Sequence, residues 1–568
     1  MNTNKLLGIV LVSFLFCGCD DFLEIEPQAK LGSDVYMNTE ENAEKVIISL
    51  YNMLQVTQGD GPDANYMNHH YEWFLGSVAT DDAEKGSTVG DLMDLTLVAN
   101  YAMTPANTIV KGFYVHSWWA ISRANYASGH LEDAPLDESV KQRMWGEVHF
   151  FKAYYYFYLL RHFGGMPILK HSVELEEFGN LPRASFSETL DYIVEELTEA
   201  IRLLPDTYPD SEIGRATRNA ARAYLARVLM YRLGTDAHCP QTWQDVYDLT
   251  SAVISSGLYD LHPNYAVVFE AETQNSIESI FEVQDKEGPF GSGSFFMDWI
   301  VQGNRQPTPG LFTMGWGFHN PTEDLVNAFD PTDPRLSSTV YGPTFNNGTL
   351  FGRTPLYNRA EQMTNFLCRK VALPEFPMNG TTKPIILMRY ADLLLMHAEA
   401  SYHLGKEQDA RELVNRIRER ARQSSYCKGY NVGDYTGYVW PETTPNIPDC
   451  TASGQALLQA IWDERRVELA TEGYRGWDLI RTGQLVERVE RVKDFQRDPN
   501  NPLFQETGTG STQTELENSR ELRVAGIRAN ILRSSLNSLN AGDYINIVPV
   551  MPLPDTEVTY WNLEPNPY

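Results

Sequence analysis

Residues 388–422 read MRYADLLLMHAEASYHLGKEQDARELVNRIRERAR, and this stretch decides the fold. Its apolar residues recur at helical spacing from Met388 to Leu404 and again from Glu407 to Arg422. Gly405-Lys406 stands between the two runs, where a glycine commonly ends a helix. The stretch therefore predicts two antiparallel helices joined by a tight turn.

The same stretch has the spacing of a closely packed helix pair. Ala398, Tyr402, Gly405 and Ala410 follow one another as small, large, turn and small residues, as in tetratricopeptide repeats. Other helical segments of similar length also end at turn residues: Phe186 to Leu204, Ala216 to Leu233 and Thr242 to Ser256. The sequence thus predicts a mostly α fold with tetratricopeptide-like helix pairs.

Helical periodicity also extends through the N-terminal part of the chain, over Glu40 to Leu54, Phe113 to Leu131 and Lys141 to Phe163. Aromatic residues cover much of the third of these helices, so we expect it to be buried. Trp118 and Trp119 lie side by side in the second helix. At least one of these two indoles must face the core.

Long irregular segments rich in aromatic residues interrupt the helices. The longest runs from about Glu270 to Pro384, with only Thr322 to Phe329 plainly helical, and loops of such length are usually functional or disordered. Ser424 to Ser453 and Arg497 to Arg520 are expected to be surface excursions. Because 568 residues exceed a usual single core, we expect two closely packed lobes.

The N-terminus has the pattern of a secretory signal. Lys5 precedes an apolar run from Leu6 to Phe16 and the sequence Cys17-Gly18-Cys19. The run is shorter than the roughly 20 residues that a membrane-spanning helix needs. A cysteine after Gly18 indicates lipoprotein processing, in which residues 1–18 are removed and Cys19 is acylated; the alternative is plain secretion. Two or more acyl chains would hold the chain stably on a membrane.

The formal net charge of −29 limits the partners of this chain. Such a surface repels phosphate backbones. Nucleic acid is therefore excluded as a partner class.

Four further cysteines remain: Cys239, Cys368, Cys427 and Cys450. An oxidising compartment permits pairing, with three possible connectivities. Cys427 and Cys450 bracket a loop rich in Gly, Tyr, Pro and Thr, so we predict a disulfide between them. The cysteines and histidines do not have the spacing of a zinc site, and no metal is predicted.

The motifs of several enzyme classes are absent from the sequence. It contains no G-x-x-x-x-G-K-[ST] phosphate loop, no H-E-x-x-H zinc helix and no G-x-S-x-G nucleophile elbow. Paired carboxylates for glycoside hydrolysis can be imagined in so acidic a chain, but none is marked by its surroundings. We therefore predict neither catalysis nor a cofactor.

Several segments carry a pattern that resembles the SusD/RagB family. In the N-terminal half these are Cys19-Asp20-Asp21-Phe22-Leu23 with Pro27, and Glu147 to Tyr155 running into Phe163-Gly164-Gly165-Met166-Pro167. In the C-terminal half they are Arg389 to Ala400, Asp463 to Ala470, Glu472-Gly473, Arg475, Trp477 to Arg481, Leu553 to Glu557 and the terminal Asn566-Pro567-Tyr568. The family's closing glycine is missing from the last element, which puts only the geometry of that turn in doubt. The resemblance extends from Cys19 to Tyr568.

This resemblance implies a cell-surface lipoprotein with four tetratricopeptide-like helix pairs. Such a protein sits as a lid over a SusC-like, TonB-dependent β-barrel and is anchored in the outer membrane through Cys19, with Asp20-Asp21 similar to a surface-export signal. We expect residues 1–18 to be the signal peptide, 19–235 the N-terminal part, and 236–568 the C-terminal part with a loop-rich insertion over 270–385. A chain with no spanning helix and no run of alternating ten-residue strands cannot form its own pore, so it must borrow one.

The charged residues of the C-terminal motif place alternating signs on adjacent turns around Trp462 and Trp477: Glu464, Arg465, Arg466, Glu468, Glu472, Arg475, Asp478 and Arg481. A functional interpretation makes them a ligand-contacting cluster. Paired charges packed against aromatics more often fix helix orientation through Arg–carboxylate bonds. We favour that structural interpretation.

Two segments could bind a solute, since a glycan site needs flat aromatic faces with amides and carboxylates at their rim. The first runs from Tyr66 to Asp82 and contributes Tyr71, Trp73, Asp81 and Asp82. The second runs from Phe295 to Asn320 and contributes Trp299, Phe312, Trp316 and Asn320. Trp316 lies between two glycines, which leave its indole free of neighbouring side chains. In both segments the alternative is that the aromatics merely pin a loop to the body.

The predicted function is capture of a nutrient for a TonB-dependent transporter, with an oligosaccharide or polysaccharide favoured over a peptide because of the aromatic loops. A surface adhesion or scaffold protein without a role in import is the alternative from another class. A gene for a SusC-like barrel beside this one would separate the two.

Overall fold

The computed structural model describes residues 37–54, 76–87, 90–173, 175–284, 317–341, 357–358, 363–364, 366–372, 385–427, 438–439, 445–492, 504–505, 513–537, 539–540 and 542–566. Helices dominate these residues. In chain order they are α1 (Glu40–Asn52), α2 (Met93–Ala99), α3 (Thr108–Leu131), α4 (Glu138–Phe163), α5 (Phe186–Leu203), α6 (Arg218–Thr235), α7 (Trp243–Ser255), α8 (Glu323–Ala328), α9 (Pro334–Thr339), α10 (Tyr390–His403), α11 (Glu407–Gln423), α12 (Gln455–Glu468), α13 (Arg475–Arg481), α14 (Leu485–Arg491), α15 (Gln513–Leu536) and α16 (Asp555–Trp561). The predicted mostly α fold is confirmed.

Local sequence sets the ends of these helices. α5 begins with a capping box in which Ser185 and Glu188 satisfy each other's backbone N–H groups. α4 ends at Gly164, whose φ of 80° favours glycine, and the α10–α11 turn contains Gly405 at φ 73°. The hairpin predicted from residues 388–422 is therefore present, with its turn at the expected glycine.

Consecutive helices pack against one another along the chain. α3 contacts α4, α4 contacts α5, α5 contacts α6 and α6 contacts α7, and the α10–α11 hairpin joins this array where α10 contacts α7. This succession of helix pairs is consistent with a tetratricopeptide-like arrangement.

The core is built around α4, as its aromatic sequence predicts. Every residue of α4 from Phe150 to Phe163 is buried, including Lys152, whose ammonium group donates to the carbonyl of Lys170 at 2.9 Å. Trp118 on α3 is buried at 7% exposure while Trp119 is 51% exposed, so one indole of that pair faces the core. The main apolar cluster contains residues from Met37 to Leu563. Buried residues of this cluster therefore come from both the N-terminal and the C-terminal half of the chain.

Short strands tie distant parts of the chain together. They are β1 (Ala83–Glu84), β2 (Ser279–Val283), β3 (Asn320–Pro321), β4 (Val340–Tyr341), β5 (Tyr357–Asn358), β6 (Leu367–Cys368), β7 (Ile385–Arg389), β8 (Tyr426–Cys427), β9 (Tyr438–Val439) and β10 (Phe504–Gln505). β1–β3, β2–β7, β4–β6 and β8–β9 are antiparallel pairs, and β5–β10 is parallel. In the β2–β7 pair, Ser279 lies opposite Arg389 and Val283 opposite Ile385.

The structure corrects one prediction and extends another. The predicted Cys427–Cys450 disulfide is wrong: Cys450 carries a free thiol and packs with Ala410 and Leu457, whereas Cys427 belongs to the main core. The two cysteines thus pack in separate clusters. The polar stretch predicted as a surface excursion as far as Arg520 is helical from Gln513 onward.

The structure also bears on membrane insertion. Within the ranges that the structure describes, no helix has both the length and the apolar character needed to cross a bilayer.

Candidate functional site

The two segments predicted to bind a solute meet in a short antiparallel ladder. β1 directly follows Asp81 and Asp82, and β3 begins at Asn320. In the register of this pair, Glu84 lies opposite Asn320. Just beyond, Thr322 donates from its backbone N–H to the carbonyl of Asp82 at 2.8 Å and from its hydroxyl to that of Asp81 at 2.6 Å. The C-terminal ends of both segments are therefore fixed at one place in the fold, which we call the acidic turn (residues 80–84).

Two arginines of the C-terminal motif hold the acidic turn. Arg475 makes a bidentate pair with Asp81, with N–O distances of 2.8 and 2.7 Å. Arg466 donates from Nε to Asp82 at 2.8 Å and from Nη2 to Asp324 at 2.7 Å. Bidentate and charge-assisted bonds fix geometry as well as position. The turn is thus locked to α12 and α13 and, through Asp324, to α8.

The two aspartates of the turn respond differently to their surroundings. Burial disfavours ionisation of Asp81, but the charges of Arg466 and Arg475 outweigh it and hold the pKa of Asp81 below its ordinary value. Burial together with the neighbouring Asp81 carboxylate raises the pKa of Asp82, against the opposing influence of Arg466. Asp81 is therefore the carboxylate that the arginines keep ionised most strongly.

Gly317, the residue after Trp316, is held by a close contact with Gly86. Gly86 and Gly317 both have positive φ, 70° and 69°. A Cβ on Gly86 would lie 2.0 Å from the carbonyl oxygen of Gly317, so a side chain there does not fit. Asn320 braces the same region, since its Nδ2 donates to that carbonyl at 3.4 Å and its Oδ1 accepts from the N–H of Met363 at 2.9 Å.

The described site residues are supports rather than exposed contacts. Asp81, Asp82 and Asn320 are each at most 1% exposed. Their polar atoms are used by arginines and backbone groups, which argues against direct contact with a solute. The other predicted residues, Cys19, Tyr71, Trp73, Trp299, Phe312 and Trp316, lie outside the described residues.

In the part of the chain described here, no group of three or more His, Cys, Asp or Glu side chains is placed to hold a metal ion. The acidic turn in particular is neutralised by arginine side chains.

Two family models match the chain. The model described as "SusD family" matches residues 278–559, and the model described as "Starch-binding associating with outer membrane" matches residues 21–230. The chain belongs to the SusD family. Among curated relatives, "SusD-like protein P38" of Formosa agariphila is 26% identical over 506 residues, covering 86% of this chain and 93% of the relative. "Starch-binding protein SusD" of Bacteroides thetaiotaomicron is 25% identical, covering 69% of this chain and 73% of that protein.

Solved structures share this SusD fold. "Surface glycan-binding protein A from Bacteroides thetaiotaomicron in complex with laminarihexaose" superposes with a TM-score of 0.67 at 18% identity, covering 93% of this chain and 100% of that one. The likeness establishes the fold alone at this level of identity.

In this SusD-family chain the C-terminal charges act structurally, as favoured from the sequence. Arg481 makes a bidentate pair with Glu399 at 2.6 and 2.8 Å. Arg465 bridges Asp392 at 2.7 Å and Asp478 at 3.2 Å. Trp477 of α13 packs face-on under Arg161, 4.5 Å from the guanidinium carbon to the ring centroid. These bonds orient α10, α12 and α13 relative to one another.

Sequence reasoning missed the cation at the centre of this SusD-family network. Arg389, 0% exposed at the end of β7, donates to Glu278 at 2.7 Å, Glu468 at 2.6 Å and Glu472 at 2.8 Å. A signal for it existed. Arg389 stands between the apolar strand Ile385–Arg389 and the apolar start of α10, and a charge flanked by buried runs must find buried partners.

Proposed function

We propose that this protein is a cell-surface lipoprotein that binds an oligosaccharide or polysaccharide and delivers it to a SusC-like, TonB-dependent outer-membrane transporter, without catalysing a reaction on it. Membership of the SusD family supports the proposal. So do its relatives and structural neighbours, which include a starch-binding protein, a laminarin-binding SusD-like protein and a surface glycan-binding protein in complex with laminarihexaose. The matched family description also refers to association with the outer membrane.

One observation carries the location that we propose for the site. The β1–β3 ladder joins Ala83–Glu84, which directly follow the first aromatic segment, to Asn320–Pro321 at the end of the second. The acidic turn, which contains β1, is rigid because its carboxylates are paired with Arg466 and Arg475. Rigid support for a few loop-borne contacts is what a binding site requires. We propose that Tyr71, Trp73, Trp299, Phe312 and Trp316 supply the aromatic faces.

The site proposal is tested with Trp316→Ala and a matched control. If Trp316 stacks on a sugar ring, its truncation weakens binding by about 1–3 kcal/mol, as for an interface aromatic anchor, and leaves the melting temperature nearly unchanged. Trp119→Ala is the control, because Trp119 is a half-exposed indole on α3 that we place outside the site. A glycan-array screen first identifies the ligand, and calorimetric titration then measures both variants. Unchanged affinity combined with a large loss of stability would make Trp316 a core residue.

The proposed anchor at Cys19 is tested by fractionation. Cys19→Ala is expected to release the protein from membranes, because the acyl chains supply the membrane affinity. The measurement uses cells that lack the barrel partner, so that the partner cannot retain the variant. Persistence of Cys19→Ala in the membrane pellet would contradict the lipid anchor.

The proposed transport role is tested by affinity purification in mild detergent. A large β-barrel protein is expected to co-purify in near-equal amount. A protein that binds glycan yet is always recovered alone would favour the adhesion or scaffold alternative, and a protein that binds peptides in place of glycans would change only the cargo.

A further inference from the structure

A cavity lies apart from the acidic turn, beside the connection between α5 and α6. Its volume is about 280 Å³, and residues of that connection, of the turn after α7 and of the segment leading into β2 line it. Ile213, Leu258 and Ile277 lie on its lining with side chains that are 50%, 42% and 52% exposed. Large apolar residues left exposed around one concavity are typical of an interaction site.

The wall of this cavity contains two unsatisfied polar atoms. Glu282 on β2 is 2% exposed, and its Oε1 accepts from the backbone N–H of Asn275 at 2.7 Å. Within the described residues, its Oε2 and the buried Oγ of Ser276 have no hydrogen-bond partner. Buried polar groups are ordinarily hydrogen-bonded, so two such atoms on one wall indicate a polar ligand group.

The segment that carries these atoms is held in place. Asn275 adopts a positive φ of 53°, and its amide exchanges hydrogen bonds of 2.9 and 3.0 Å with the amide of Gln284. Gly214 approaches the same glutamine so closely that a Cβ on it would lie 2.3 Å from the Gln284 side chain. The carboxylate of Glu282 is therefore presented by a preorganised wall.

Among the buried carboxylates of the described residues, Glu282 alone has no cationic side chain within ion-pair distance. Each of the others is within ion-pair distance of an arginine, lysine or histidine: Asp81, Asp82, Glu84, Glu147, Glu196, Asp236, Glu270, Glu278, Asp333, Asp392, Glu399, Glu464, Glu468 and Glu472. Arg215 lines the same cavity, but its guanidinium is bonded to Glu44 at 2.7 Å and Glu147 at 2.8 Å. Burial raises the pKa of Glu282 to about 7, although the neighbouring Ser279 hydroxyl, Asn275 N–H and Gln284 amide favour its ionised form.

We propose that this cavity receives a lysine or arginine side chain of a partner polypeptide, whose cation pairs with Glu282. The aliphatic stem would lie against Leu258, Ile277 and Tyr259, and the cationic head would donate to Oε2 of Glu282 and Oγ of Ser276. A cation would pair with the ionised form of Glu282, whereas a neutral solute would have no preference for that form. The exposed apolar rim extends beyond what a single side chain covers, which favours a polypeptide over a small free amine.

The test uses small probes with the purified full-length protein. Nα-acetyl-lysine N-methylamide represents a side chain on a polypeptide, pentylamine represents a free amine, and Nα-acetyl-norleucine N-methylamide is the neutral control. Saturation-transfer NMR titrations are expected to show binding of the first probe at least tenfold tighter than of the norleucine probe. Glu282→Gln should abolish this difference, while Glu272→Gln, which removes an exposed carboxylate outside the cavity, should preserve it.

The pH dependence gives a second readout that an altered fold would not mimic. Since the cation binds the ionised form of Glu282, affinity is expected to rise about tenfold between pH 6 and pH 8. The other titratable groups on the cavity wall are Asp206, Tyr208, Arg215 and Tyr259, and the rise must vanish in Glu282→Gln. Equal binding of the lysine and norleucine probes, or no effect of Glu282→Gln in a variant with an unchanged melting curve, would overturn the proposal. Binding of pentylamine with exclusion of the blocked lysine would overturn the polypeptide occupant.

Discussion

Glu282→Gln is expected to stabilise the protein in a pH-dependent manner. Burial raises the pKa of Glu282 from 4.5 to about 7, so the folded state holds a proton more tightly than the unfolded state. The parent protein therefore loses stability as the pH rises from about 4.5 through 7. This change in pKa corresponds to roughly 3 kcal/mol, most of which falls between pH 5 and pH 8. A glutamine has no charge to bury at either pH.

Urea denaturation of the parent and the variant at pH 5 and pH 8 measures this difference directly. The gain in free energy of unfolding on Glu282→Gln should be larger at pH 8 than at pH 5 by roughly 2–3 kcal/mol. Glu272→Gln serves as the control, because an exposed carboxylate bears no desolvation cost. An equal effect of Glu282→Gln at the two pH values would show that the carboxylate is not buried alone, and would refute the reasoning.

Three further substitutions test the supports of the fold by denaturant unfolding. Arg389→Met should lower the free energy of unfolding by at least about 3–5 kcal/mol, because it leaves three buried carboxylates without their shared cation. A loss below about 1 kcal/mol would show that the network rearranges around the missing charge. Gly86→Ala should destabilise by more than the roughly 1 kcal/mol of its positive φ alone and should also weaken cargo binding, since its Cβ collides with Gly317; a neutral effect would contradict the close approach. Ser185→Ala should cost about 1 kcal/mol through loss of the capping box on α5, and Ser185→Thr should retain most of that stability.

The helices could be predicted because their signals are local. The hairpin at 388–422 was predicted as Met388 to Leu404 and Glu407 to Arg422, and it is observed as Tyr390–His403 and Glu407–Gln423. Period, glycine and caps all lie within a few residues of the element that they define. Sequence reasoning missed α15, whose first turns are polar. Arg520 and Arg523 on this helix pair with Glu84, which lies far away along the chain.

The acidic turn could be recognised from the sequence, but its role could not. The sequence marks Asp81 and Asp82 as a charged pair beside aromatics, a pattern that suits a ligand rim. Their partners, Arg475 and Arg466, lie 394 and 384 residues away along the chain. The neighbouring sequence does not show whether a carboxylate is available to bind a solute or is already bonded to an arginine. The distinction depends on tertiary contacts alone.

The cost of this arrangement bears on why it exists. Burying a charge pair is expensive, and an apolar replacement of similar volume is often at least as stable. The base of the proposed site nevertheless uses Arg466 and Arg475 against two aspartates, where packed aliphatic residues would fill the space. What bidentate bonds provide and aliphatic packing does not is a fixed angle and register. If two loops present aromatic faces to the same sugar chain, as proposed, their ends must be held to within fractions of an ångström. We therefore interpret the buried pairs as devices that fix the positions of those ends. Replacing both members of a pair, Asp81 and Arg475, by aliphatic residues should accordingly lower cargo affinity in a calorimetric titration more than it lowers the free energy of unfolding.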